Sequence, residues 1–157
     1  IDGINSGSLR NGETVIFSES EINSFFKYDP SGKMPDGVRE VNVHLGEGGT
    51  VVRVLVDLSR AQDQQGAPGG IVWSVLFRGE REVTANCRYR SANGYGRLDV
   101  DSVAIDGGKV PRFIVDWLIA SYVNPKMPDF EVGRTVALPK KVREIRIDPG
   151  RLVVAAY

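Results

Sequence analysis

Cysteine and histidine are nearly missing from this chain, with Cys87 and His44 the single example of each. One cysteine cannot close an internal disulfide, so the redox compartment stays open. Two such side chains also fall short of the four ligands that a structural zinc site requires. A Ser-His-Asp or Cys-His machine would have to use His44, and no nucleophile elbow lies near it. His44 therefore reads as an ordinary exposed histidine, and Cys87, which alternates with apolar positions, as a small core residue.

Charge of one sign is lacking too. Lys+Arg and Asp+Glu number 20 each, so the formal net charge is zero. No global field draws the chain to nucleic acid, which is not expected as a partner. A local basic cluster remains at Lys140, Lys141, Arg143 and Arg146. No apolar run approaches the ~18 residues that read as a membrane-spanning helix. The chain begins at Ile1 without methionine. A trimmed or processed form is expected, with any signal peptide or anchor upstream.

Other chemistry-bearing patterns are also incomplete. Gly46-Glu47-Gly48-Gly49 joins two strand-like runs and opens no helix, so it lacks the N–H array of a phosphate loop. Asp99, Asp101 and Asp106 lack the spacing and terminal Glu of an EF-hand loop. Nothing positive supports paired hydrolytic carboxylates. The expectation is a protein that is not an enzyme, with no cofactor and no metal.

What is present is an ordinary domain-sized chain of 157 residues, 41% hydrophobic and 25% charged. Thr14 to Phe17 is a short β-prone run. It leads into a helix capped by Ser18, with Glu21 three residues on completing a capping box and Phe17 and Ile22 placed as a hydrophobic staple. Ile22, Phe25 and Phe26 share a helix face. Period-two alternation predicts strands over Arg39–Leu45, Thr50–Leu58, Glu82–Arg90, Tyr95–Ile105, Val132–Leu138, Val142–Ile147 and Arg151–Ala156. Ser59–Gly70 reads as a polar loop and candidate lid. Ile71–Phe77 is too continuously apolar for periodicity to separate helix from strand, and a short buried helix is preferred.

Val110–Asn124 is the longest predicted helix, with Pro111 in its first turn. It is apolar over most of its girth, which points to an enclosed helix. Strands arrive mostly as hairpins and not as βαβ crossovers. The fold class expected is α+β in one domain: a strongly curved antiparallel sheet of hairpins wrapped around one long and one or two short helices. The remaining chemical signal is apolar. Phe25, Phe26, Trp73, Phe77, Phe113, Trp117, Leu118 and Tyr122 are the candidate ligand-lining residues, and plain core packing is the competing reading.

Three stretches carry a resemblance. "SESEINSFF", "VDSVAIDGGKVPRFIVDWLI" and "VALPKKVREIRIDPGRLVVAA" together resemble small bacterial envelope proteins related to the tubular lipid-binding (TULIP) superfamily. The resemblance implies a sheet around a helix with a lipid-accessible groove, in an extracytoplasmic compartment, periplasmic or envelope-associated. The chain is shorter than the larger members and lacks their long N-terminal helix. The expectation is non-enzymatic binding or carriage of a lipid or other apolar ligand, with contact to a membrane surface left open. The alternative is a structural or interaction protein of the cell envelope with a filled core.

Overall fold

Wherever apolar and polar residues alternate over a long run, the chain forms antiparallel strand. The computed structural model describes residues 9–28, 32, 34–59, 70, 75 and 77–157, and among them nine strands divide between two sheets. The smaller sheet contains β1 (Thr14–Ser18), β8 (Val142–Asp148) and β9 (Arg151–Ala156), in the order β1-β9-β8. In the larger, β2 (Val38–Leu45), β3 (Thr50–Asp57), β4 (Glu80–Ala92), β5 (Tyr95–Ile105) and β6 (Gly108–Lys109) are neighbours in chain order. A short β7 (Thr135–Ala137) pairs with the start of β5, while β6 pairs with its end. The hairpin-built α+β class expected from the element order is the one that forms.

One face of the larger sheet is a continuous apolar surface. Its cross-strand pairs include Val43 with Val52, Val54 with Val83, Ala85 with Val103 and Tyr89 with Leu98. The β4–β5 ladder slips between Asn86 and Cys87, so that Asn86 faces Ser102 and Cys87 faces Val100. Asp101 is the residue left over at this bulge. The slip brings Val100 opposite Cys87, and Asp101 is held by Arg88.

Helix α1 (Glu19–Tyr28) starts as its sequence dictates. The Glu21 N–H donates to the Ser18 hydroxyl at 3.2 Å, and the Ser18 N–H donates to the Glu21 carboxylate at 2.7 Å. Phe17 packs against the buried cluster that contains Ile22.

Helix α2 is shorter than the predicted Val110–Asn124 range. Seven α-helical residues, Arg112–Leu118, are followed by five of π-helix, Ile119–Val123. Pro111 lies outside the helix with an extended ψ of 158°. A residue that precedes proline is driven out of the α region, so Val110 cannot open the helix. Strand 132–138 is likewise cut to β7. Gly133 has a φ of +78°, which interrupts extended backbone, and its N–H donates to the Leu98 carbonyl instead. Residues 60–69 of the predicted loop, and most of the predicted Ile71–Phe77 helix including Trp73, lie outside the described residues.

Apolar residues gather in three clusters. Below α2, Val56, Leu58, Phe77, Ile105, Ile114 and Tyr122 are buried together. Under α1, Ile22, Val43 and Leu45 form a second cluster. Within the small sheet, Leu9, Val142, Val154 and Ala156 form a third.

Candidate functional site

Two sets of hydrogen bonds fasten the small sheet and α1 to the large sheet. The first is at the end of β2. The Asn23 side-chain amide donates to the Val43 carbonyl at 2.9 Å and accepts from the Val43 N–H at 2.7 Å, acting as a one-residue substitute strand. Glu19 accepts the Leu45 N–H at 2.9 Å, and the Gly150 N–H in the β8–β9 turn donates to the Leu45 carbonyl at 2.8 Å. The second is on β8, where the Ser91 hydroxyl donates to the Ile145 carbonyl at 2.7 Å and accepts the Ile145 N–H at 2.6 Å, and the Gly94 N–H of the β4–β5 turn donates to the Arg143 carbonyl at 2.8 Å.

Between these fastenings the two sheets part on one side of the α1 cluster, against which Val52, Ile147 and Leu152 pack. A cleft of about 330 Å3 opens there. Thr50, Val52, Cys87, Tyr89 and Leu98 of the large sheet form one wall, and Ile145, Ile147 and Leu152 of the small sheet form the other. Strand alternation explains this lining: Thr50 and Cys87 are cross-strand partners, as are Tyr89 and Leu98, on the apolar face. A second cavity of about 220 Å3 shares Thr50, Tyr89 and Ile147 with the first and adds Gly48, Gly49, Arg88 and Arg90. The combined space has an apolar chamber and a more polar mouth.

The chamber holds no charge. Burial pushes the Cys87 thiol up to about 11, with the Asp101 carboxylate adding to the effect, so Cys87 stays protonated and inert at neutral pH. Burial also raises the Tyr89 phenol. The Thr50 hydroxyl is fully buried and has no hydrogen-bond partner. At the mouth the charges are paired. Arg88 grips Asp101 through two nitrogens, at 2.7 and 2.8 Å, which holds that carboxylate below its usual range. Asp99 accepts from Arg97 at 2.9 Å, while Arg90 stands 4.0 Å from it.

Of the eight residues singled out from the sequence, the seven that are described do not line this cleft. Phe26 comes nearest: it packs on the α1 cluster, together with Val52, Ile147 and Leu152, which also wall the cleft. Phe25 is half-buried, its ring edge-on to Phe26 at 5.8 Å. Phe77 is buried against Trp117, ring centres 5.1 Å apart, and Tyr122 is buried with its hydroxyl donating to the Asp57 carbonyl. Trp117 and Leu118 are half-buried in the same packed cluster, and the Trp117 indole N–H has no partner. Phe113 is 58% exposed, on the solvent side of α2. Trp73 lies outside the described residues.

His44 is exposed, as its strand position suggests, with Nδ1 3.3 Å from Glu19. Among the described residues no group of three or more His, Cys, Asp or Glu side chains is placed to hold a metal ion. No helix among them is long and apolar enough to cross a membrane. Comparison with protein-family models, with curated proteins and with solved structures finds no match, which leaves the cleft's own geometry as the basis for function.

Proposed function

We propose that this protein binds a small apolar or amphiphilic molecule in the cleft between its two sheets, and that it is a carrier or receptor of that molecule and not a catalyst acting on it. One observation carries the proposal: the apolar face of the large sheet, continuous along β3 and β4, borders an unfilled gap where Thr50, Val52, Cys87 and Leu98 face the small sheet. The gap, about 330 Å3, is at the small end of the range for ligand sites. Apolar surface left against water costs about 25 cal/mol per Å2, and a ligand that covers it recovers that free energy. Lipid carriage in an extracytoplasmic compartment, with the curved-sheet architecture of the tubular lipid-binding superfamily, belongs to the same proposal and draws its support from the sequence resemblance.

The test separates the cleft from the α2 aromatics. The neutral fluorophore N-phenyl-1-naphthylamine should brighten on mixing with the protein, and a medium-chain alcohol should displace it. Leu98→Trp, which grows a ring into the cleft, should abolish the brightening while far-ultraviolet circular dichroism stays the same. Trp117→Ala should leave it within about twofold, since Trp117 packs in a different cluster. Loss of binding in Trp117→Ala with full retention in Leu98→Trp would move the site to the α2 groove. No brightening in the wild type would favour the envelope interaction protein with a filled core.

A further inference from the structure

The chamber and its mouth differ in chemistry, and the difference selects a ligand class. β3 ends at Thr50, opposite Cys87, so the edge of β4 beyond Cys87 is not covered by β3. The turn at Gly48–Gly49 lies beside this uncovered edge, and a side chain added at Gly48 would meet nothing within 4 Å. Both arginines of this edge line the polar end of the cavity; alternating with Cys87 and Tyr89, they extend from the outward face of β4 and reach it around the uncovered edge. They are not equivalent. Arg88 is committed to Asp101 by the two-nitrogen grip. Arg90 is not, because its neighbour Asp99 is engaged by Arg97 at 2.9 Å while Arg90 stays 4.0 Å away and 72% exposed. Arg90 is thus the most available cation at the mouth, and no carboxylate lines either part of the cavity.

We infer that the ligand is a single-chain amphiphile with an anionic end group, its chain lying between Cys87, Leu98, Ile145 and Leu152 and its anion held at the Gly48–Gly49 mouth by Arg90. This rests on the cleft being the binding site. Size sets the single chain: at roughly 30 Å3 per heavy atom, the share a water molecule has in the liquid, 330 Å3 accommodates on the order of ten atoms and leaves no room for a second tail. The uncharged walls of the chamber set the orientation, because an anion buried there would lose its hydration without a partner.

Isothermal titration calorimetry on the full chain, with decanoate, 1-decanol and acetate below any micelle concentration, tests this. Decanoate should bind about fivefold more tightly than 1-decanol, the size of effect an exposed ion pair supports. Arg90→Gln should remove that advantage and leave 1-decanol unchanged, while Arg39→Gln, an exposed arginine at the far end of the β2–β3 hairpin from Gly48–Gly49, should alter neither. Acetate should not bind. Decanoate and 1-decanol binding equally, or decanoate unaffected by Arg90→Gln, would overturn the anionic end group while leaving the cleft as the site. Acetate binding as tightly as decanoate would overturn the chain. If neither ten-carbon molecule binds, the cleft reading fails and this inference fails with it.

Discussion

Thr50 is the residue at which the fold is least at ease. It occupies a row of β3 whose other inward members are Val52, Val54 and Val56, and its hydroxyl is buried with no partner. An unpaired buried hydroxyl costs roughly 1–3 kcal/mol, while an isosteric apolar replacement keeps the shape and removes the penalty. Thr50→Val is therefore expected to raise stability by about 1 kcal/mol, read as a higher urea midpoint with an unchanged m-value. A lower midpoint would mean that the hydroxyl finds a partner in solution. The oddity is visible in the sequence once Thr50 is set in its alternating row. What it borders is not visible, because the facing wall is supplied by Ile145, Ile147 and Leu152, about a hundred residues further along the chain.

At the scale of elements, what could be read from the sequence divides by the range of the interaction that decides it. The capping box of α1 was legible because Ser18 and Glu21 are three residues apart and need nothing else. The β4–β5 and β8–β9 hairpins were legible because alternation and turn residues specify them locally. The role of Asn23 was not legible. Its partner is Val43, twenty residues on, and it covers a strand edge that would otherwise be open to a foreign strand. Its amide donates and accepts there through two separate atoms. Asn23→Ala should cost about 1–3 kcal/mol by leaving the Val43 N–H and carbonyl unpaired. Asn23→Asp should cost at least as much at neutral pH, since a carboxylate still accepts the N–H but faces the carbonyl with like charge. Its loss should shrink below about pH 4, where the protonated carboxyl can donate. Chemical denaturation of both variants at pH 7 and pH 3.5, each against wild type, checks this. An aspartate variant as stable as wild type at pH 7 would show that the donated bond contributes nothing. The shortening of α2 and β7 belongs to the same scale. Pro111 was read as part of the helix and Gly133 fell within the predicted strand, but the backbone at each delays the start of the element.

At the scale of the whole molecule, the cleft exists because two sheets are fastened at separated points and not packed along their length. Of the aromatic groups that looked most like a ligand site, Phe77, Trp117 and Tyr122 fill the cluster beneath α2, where Ile114 is 0% and Phe77 1% exposed. Aromatics at helical spacing report burial, and burial alone does not tell a filled core from a lined cavity. The empty space falls instead between strands of moderate hydrophobicity, which no local pattern marks. Its width should depend on the second fastening. Ser91→Ala removes the hydroxyl that satisfies both the N–H and the carbonyl of Ile145, 54 residues away. The half-buried β8 backbone would then have to turn to water at Ile145, so β8 should loosen from β4 there, while the Gly94–Arg143 bond and the β3–β4 and β4–β5 ladders are kept. Native-state hydrogen exchange should show the Ile145 amide exchanging at least tenfold faster, with the amides of Val54 and Val83 unchanged, a local opening of one sheet against the other. Equal acceleration in both sheets would mean that they open only as one unit, and ligand entry would then require global unfolding and not a hinge at Ser91.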